Sequence, residues 1–173
     1  MLDNTLYNAL ITAVVSAIVT NFFLWWQKRN DYKRDYYKKV VDKRIKAYEQ
    51  VEALAACFDH QTTNLYTNQK WLACCITLEA AKTTFKMIED VEKHGLWLSE
   101  ECNQCITNIN KTLMPLFYFD DKQEEAFKNE RFKLSIDMYE DMVKHRENLR
   151  KIISNDMMNL HDVDNFFECN IHK

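Results

Sequence analysis

Glycine and proline are almost absent from this chain, which holds one of each, Gly95 and Pro115, in 173 residues. Average usage would give roughly 12 glycines and 9 prolines for this length. Hairpin-rich β folds need such residues at their turns, and loops that cradle phosphates need several glycines. The scarcity therefore predicts long helices with few corners, an all-α fold, and excludes Walker loops, dinucleotide-binding loops and nucleophile elbows.

Residues 6–26 form an uncharged stretch of 21 residues, LYNALITAVVSAIVTNFFLWW. A helix of that length reaches about 31 Å, the thickness of a bilayer's hydrocarbon core. Trp25 and Trp26 end the stretch where an aromatic belt is expected, and Lys28, Arg29, Lys33 and Arg34 follow at once. The pattern predicts a single transmembrane helix over 6–26 with these six residues at the membrane interface.

The basic residues follow the span, and this order favours one orientation. Lys and Arg accumulate on the cytoplasmic side, so residues 1–5 are expected to be a short extracytoplasmic N-terminus. A cleaved signal peptide is the alternative, but it requires basic residues before the apolar run and a small-residue cleavage site after it. The sequence favours a retained, single-pass anchor.

Two stripes with four-residue spacing run along the predicted span. Asn8, Thr12, Ser16 and Thr20 form a polar stripe. Ala9, Ala13 and Ala17 form a small-residue stripe beside it. Small residues let helix backbones approach, and polar residues within membranes usually face protein or water. The stripes favour self-association with a polar pore lining, whereas a simple anchor whose hydroxyls bond their own helix remains open.

Residues 27–46, the basic collar, carry nine Lys or Arg against three Asp. No Gly or Pro interrupts residues 4–58, so the collar is predicted to continue the membrane helix as a basic juxtamembrane helix. Its first cations are explained by membrane topology and anionic lipid. Lys43, Arg44 and Lys46 lie farther along, and we expect them to pair with the acidic residues of the chain or with a neighbouring copy rather than with RNA.

Residues 47–173 carry 14 basic and 22 acidic side chains, and helical periodicity recurs through them. The pattern predicts helices over 62–93, from Ser99 to Pro115 and over 122–153, with a short terminal helix over 157–168. Gly95 is expected to end the first of these in a left-handed cap, and the segment 154–156 to end the third. Together with the collar helix, these elements predict a cytoplasmic four-helix bundle over 47–173.

Residues able to carry chemistry are few. The six cysteines include Cys102-x-x-Cys105, whose zinc-like spacing lacks a second pair, so core packing is preferred to metal binding. The histidines show no metal-binding spacing, and no Glu-x-x-His motif accompanies the carboxylates. No metal, cofactor or DNA partner is expected, and direct RNA binding is disfavoured because no global basic surface is present.

The combination of one span, a basic collar and a compact helical segment resembles the membrane accessory proteins of type VI-B CRISPR systems. That resemblance implies a HEPN-like helical bundle, a membrane pore active in antiphage defence, and an RNA-guided RNA nuclease as functional partner. HEPN nucleases carry Arg, then four to six residues, then His. Here Arg150 is followed by Asn155 and Asp156 where His would stand. Arg150 and Asn155 are thus degenerate HEPN-like positions, and the chain is not expected to be an enzyme.

Three hypotheses follow from the sequence. The preferred one is a homo-oligomeric membrane pore that depolarises the inner membrane and so enhances RNA-guided defence. The second is a non-conducting, membrane-tethered adaptor whose helical bundle binds a partner. The third, a HEPN-type ribonuclease, is disfavoured by the incomplete motif.

Overall fold

The computed structural model describes residues 2–66, 68–75, 77–117 and 124–163. Its contacts divide the chain into two units, Met1–Val40 and Val41–Lys173. We call the second unit the helical body. The described residues are mostly helical, as the scarcity of glycine and proline predicts.

The helices are α1 (Leu2–Cys57), α2 (Leu78–Glu92), α3 (Glu100–Leu113), α4 (Glu124–Asp137) and α5 (Tyr139–Met158). A short antiparallel hairpin, β1 (Gln61–Thr63) and β2 (Lys70–Leu72), lies between α1 and α2, with Thr62 opposite Trp71. Short 3-10 turns cover Ala73–Cys75, Gly95–Trp97 and Met114–Phe117. The predicted continuity of residues 4–58 is confirmed, because α1 runs unbroken from Leu2 to Cys57.

One apolar core holds the helical body together. It is built from buried residues of α1, α2, α3 and α5, including Val51, Leu54, Ile88, Ile109 and Leu149. In α3 the buried residues are Cys102, Cys105, Ile106, Ile109 and Leu113. The two cysteines therefore pack in the core, as predicted.

The predicted helix over 62–93 is wrong in its first half, since the chain forms the hairpin there and α2 begins only at Leu78. Thr62 and Thr63 are β-branched and suit a strand. Asn68 takes a left-handed conformation, with φ of 53°, which Asn tolerates better than most residues. Leu65 is 90% exposed whereas Leu72 is fully buried, so the two do not share an inward face. The described chain is therefore mostly helical with one short hairpin, and not all-α as predicted.

Gly95 does not act as a left-handed cap, because α2 ends at Glu92 with Lys93 as its C-cap and no glycine has positive φ. Gly95 instead begins a 3-10 turn, and its carbonyl accepts a hydrogen bond from Asn103 Nδ2 at 2.9 Å. A Cβ at this position would lie 3.2 Å from Asn103 Oδ1. The glycine serves close approach to α3 rather than a turn with positive φ.

The predicted helix over 122–153 is two helices, α4 and α5, which meet at Met138. Ser135 is buried one turn earlier and donates to the Phe132 carbonyl at 2.7 Å. Such back-bonding by Ser bends helices. The predicted stop at 154–156 is also wrong, because α5 continues to Met158. Phe127's side chain, residues 118–123 and residues 164–168 of the predicted terminal helix lie outside the described part of the chain.

Candidate functional site

The predicted span lies entirely on α1, and its large apolar side chains are exposed. Leu10, Val14, Ile18 and Phe22 are each at least half exposed. This part of α1 is long and apolar enough to cross a membrane, judged by length and composition. Exposed contiguous apolar surface of this size is unusual for a monomer in water and marks a surface that another apolar medium or protein covers.

The polar stripe lies on this exposed helix. Asn8, Thr12, Ser16 and Thr20 are all exposed, as are Ala9, Ala13 and Ala17. Thr12 Oγ1 donates to the Asn8 carbonyl at 2.8 Å. The hydroxyl of Thr12 is therefore satisfied inside its own helix, whichever medium or protein covers this face.

Aromatic and basic residues meet where the predicted span ends. The Phe22 and Trp25 rings lie 6.1 Å apart, and the Phe23 and Trp26 rings 6.0 Å apart, between centroids. Arg29 stacks over Trp25 with 5.6 Å between the guanidinium carbon and the ring centroid. A cation over an indole face is favourable, and both groups suit a lipid head-group region. Lys28, Lys33 and Arg34 are exposed.

In the helical body, two residues of α1 hold the end of α5. Arg44, 3% exposed, donates from Nη1 to the Leu160 carbonyl at 3.2 Å. Tyr48, one turn later and 1% exposed, donates from its hydroxyl to Asp156 Oδ2 at 2.6 Å. The two bonds fix the last turn of α5 and the residues just after Met158, where α5 ends.

The Asp156 carboxylate also joins α5 to the start of α3. Ser99 Oγ donates to Asp156 Oδ2 at 2.5 Å, and the Ser99 backbone N–H donates to the Tyr48 hydroxyl at 3.1 Å. Ser99 is the predicted N-cap of α3, and its Oγ accepts from the Cys102 backbone N–H at 3.1 Å. Burial and the bond to Asp156 raise the pKa of Tyr48 well above its usual value. These bonds join three helices at one buried polar point.

The degenerate HEPN-like position Arg150 lies on α5 and pairs with Asp59, just past the end of α1. Arg146, one turn earlier, also reaches Asp59, with 3.2 Å between Nη1 and Oδ1, and donates to the Phe58 carbonyl at 3.3 Å. Asn155 uses its carbonyl to accept from Asn159 Nδ2 at 3.0 Å. The two arginines therefore hold the residues that directly follow α1, a role that the sequence spacing alone does not reveal.

Within the helical body, Lys43 contacts Trp97 and Arg44 contacts Leu160. Lys43 Nζ lies 5.0 Å from the centroid of the Trp97 ring. The predicted partners were acidic residues or a neighbouring copy. The pairing of these residues with acidic residues or with a neighbouring copy stays a prediction.

A cavity of about 460 Å³ lies between the end of α1, the turn after β2 and the start of α2. Its walls include Cys57, His60, Cys74, Glu79 and Thr84. The Cys57 thiol lies 3.6 Å from Thr84 Oγ1. The predicted elements did not bring Cys57 and Cys74 to one cavity, because Cys74 falls where a helix was predicted. Among the described residues, no group of three or more His, Cys, Asp or Glu side chains could hold a metal ion.

Comparison of the chain with protein-family models, with curated proteins and with solved structures gives no match.

Proposed function

We propose that the chain is a single-span membrane protein that self-associates through residues 6–26 and permeabilises the bilayer. In this proposal the N-terminus lies outside a bacterial inner membrane and the helical body lies in the cytoplasm. The observation that supports it is the polar stripe of Asn8, Thr12, Ser16 and Thr20 on a mostly apolar, exposed stretch of α1.

In this proposal the small-residue stripe packs neighbouring copies together and the polar stripe lines the lumen. Ala9, Ala13 and Ala17 lack bulky side chains and are exposed, so neighbouring copies can approach closely along them. Close packing there turns the adjacent polar stripe toward the axis of the oligomer. Hydroxyl and amide groups facing a shared lumen are hydrated, whereas facing lipid they would be costly.

The resemblance to type VI-B CRISPR accessory proteins supplies the proposed setting. Permeabilisation would lower the membrane potential during antiphage defence, with an RNA-guided RNA nuclease as functional partner. The helical body would assemble with copies of itself, and this assembly would determine when the span conducts.

Dye or ion leakage from liposomes containing the full-length protein tests the proposal. Replacing Thr12, Ser16 and Thr20 together by Leu is expected to abolish leakage, because a narrow lumen lined by apolar side chains excludes water and ions. Replacing Ile11, Val15 and Val19 by Leu is the matched control at the same spacing and is expected to leave leakage unchanged. A wild-type protein that is monomeric in detergent and causes no leakage at any density would refute the pore.

A membrane-tethered adaptor without conduction is the second candidate, and the bond from Thr12 Oγ1 to the Asn8 carbonyl favours it. A hydroxyl satisfied within its own helix needs no lumen. An adaptor would keep its function in the triple Leu variant, because Leu preserves the span. Phage protection assayed beside leakage therefore separates the two candidates.

A further inference from the structure

We propose that Arg29 and Lys33 form a binding site for the phosphate group of anionic phospholipids, at the point where α1 leaves the bilayer. The proposal rests on the membrane crossing of residues 6–26 in the proposed function, and it stands whether or not the span conducts. It goes beyond the basic excess of the collar, because it selects two of the collar's cations and assigns them a ligand.

The aspartates of the collar lie on one side of α1 and leave two of its first cations without an acidic neighbour. Residues three or four positions apart are neighbours on a helix surface, where opposite charges attract. The collar's aspartates, Asp31, Asp35 and Asp42, have this spacing to Lys28, Arg34, Lys38, Lys39 and Lys46. Neither Arg29 nor Lys33 has an Asp or Glu at these spacings, so no carboxylate of the helix offsets their charge.

Arg29 and Lys33 are also neighbours of each other. They are four residues apart on an unbroken helix, so both side chains project from the same side of α1. Like charges at this spacing repel and destabilise an isolated helix. Both side chains are exposed, so an anion can reach them from the surroundings. An anion bound by both cations would replace the repulsion by two attractions.

Aromatic rings border the two cations. Arg29 stacks over Trp25 with 5.6 Å between the guanidinium carbon and the ring centroid. Tyr32 and Tyr36 each follow one of the cations by three residues, and they are 75% and 46% exposed. Trp and Tyr are enriched at membrane–water interfaces, and a tyrosine hydroxyl can donate a hydrogen bond to a phosphate oxygen. This surface therefore suits a ligand that carries both a phosphate and an apolar part, as a phospholipid does.

The distance from the end of the span places the two cations among the lipid head groups. At about 1.5 Å per residue, Arg29 lies about 4.5 Å and Lys33 about 10 Å beyond Trp26 along the helix. Helical side chains lean toward the N-terminus, which for α1 is the side of the span. The head-group layer is about 5–8 Å thick on each side of a bilayer, so both charged groups reach it.

Tryptophan fluorescence of the full-length protein in liposomes tests the proposal. Bromine on a lipid acyl chain quenches nearby tryptophans, and Trp25 and Trp26 stand at the end of the predicted span. Trp71 and Trp97 belong to the helical body and add an unquenched background. Mixtures of phosphatidylglycerol and phosphatidylcholine, with the bromine on one lipid or the other, give the relative affinity of the two lipids for the protein.

We expect phosphatidylglycerol to bind about fivefold more tightly than phosphatidylcholine, because cations near an anionic surface are attracted to it. Raising sodium chloride to about 1 M should reduce the preference, since salt screens exposed charges. Replacing chloride by inorganic phosphate at equal ionic strength should leave it unchanged. Loss of the preference in phosphate alone would show that the site takes a soluble anion, and would overturn the lipid proposal.

Two double variants remove the same charge from different positions of the collar. Arg29→Gln with Lys33→Gln is expected to lower the preference to about twofold or less. Lys28→Gln with Arg34→Gln is the matched control and should keep most of the preference, because both of its cations have Asp31 as a neighbour. All four positions are exposed on a helix, and Gln is a good helix former, so both variants are expected to fold.

The outcomes separate the lipid site from the span. Equal losses in the two double variants, or equal quenching by the two lipids in the wild type, would refute the site and leave the membrane crossing in place. Absence of quenching by either lipid would refute the membrane crossing, and with it both the lipid site and the proposed function.

Discussion

Tyr48 joins three helices through a single hydroxyl group. That group donates to Asp156 on α5 and accepts from the backbone of Ser99 at the start of α3. Removing a buried hydroxyl leaves the groups bonded to it short of one hydrogen bond, which typically costs about 1–3 kcal/mol. Tyr48 therefore contributes to stability through its bonds as well as through its buried ring.

Tyr48→Phe is expected to lower the free energy of unfolding of the helical body by about 1–3 kcal/mol. The ring still fills the core, but Asp156 loses a donor and the Ser99 N–H loses its acceptor. Urea unfolding of the full-length protein in detergent, followed by circular dichroism, measures the change. Tyr32→Phe is the control, because Tyr32 is 75% exposed and its replacement should change nothing measurable.

Tyr48 also makes the stability of the helical body depend on pH in the alkaline range. The unfolded chain releases the tyrosine proton near pH 10, whereas burial and Asp156 raise the pKa of Tyr48 in the folded state. The protonated ring therefore contributes stability that is fully present below pH 10 and is lost as the pH rises above it. The raised pKa values of Cys57 and Cys102 act in the same direction. Tyr48→Phe should flatten the decline between pH 10 and higher values, and an unchanged pH profile would contradict this role.

Among the elements, the hairpin departs most from the predicted helices. Its turn depends on Asn68, whose φ of 53° suits Asn and Gly. Its tip exposes Leu65 and Tyr66, while Trp71 in β2 packs edge-on against Phe132 with 4.8 Å between ring centroids. The strand nearest the core is therefore held by α4, although the sequence between 61 and 72 shows no hairpin dipeptide.

Asn68→Ala is expected to destabilise the hairpin by about 1 kcal/mol, since a Cβ disfavours left-handed backbone and Ala lacks the polar side chain that helps Asn to adopt it. Asn68→Gly should be neutral or slightly stabilising at the same position. Hydrogen exchange of the β1 and β2 amides measures both variants. Equal protection in the Ala and Gly variants would show that the backbone conformation at this position carries no cost.

At the scale of the whole molecule, the charge order along the chain predicts its orientation. The uncharged stretch 6–26 precedes a collar with a large excess of Lys and Arg, and this excess marks the cytoplasmic side of a span. Protease added to spheroplasts is expected to leave residues 47–173 intact, whereas protease added to inverted membrane vesicles should remove them. Detergent-solubilised membranes provide the control for cleavage. Digestion in spheroplasts alone would reverse the proposed topology.

The sequence by itself determined the elements whose cause is local. One glycine and one proline leave little means to end helices, so α1 runs through 56 residues and the described chain is mostly helical. Ser99 followed by Glu100 and Glu101 fixed the start of α3, because a hydroxyl cap and nearby acids satisfy the free N–H groups of a helix N-terminus. The exposed apolar stretch of α1 was equally readable from length and composition.

Only the tertiary structure decided which distant residues meet. The hairpin replaces a helix because β2 packs against α4, and α5 passes through 154–156 because Asp156 is held by Tyr48 and Ser99. Arg146 and Arg150 reach Asp59 across separations that no periodicity encodes. Local propensities differ by less than about 1 kcal/mol per residue, so packing and buried hydrogen bonds of similar or larger free energy override them.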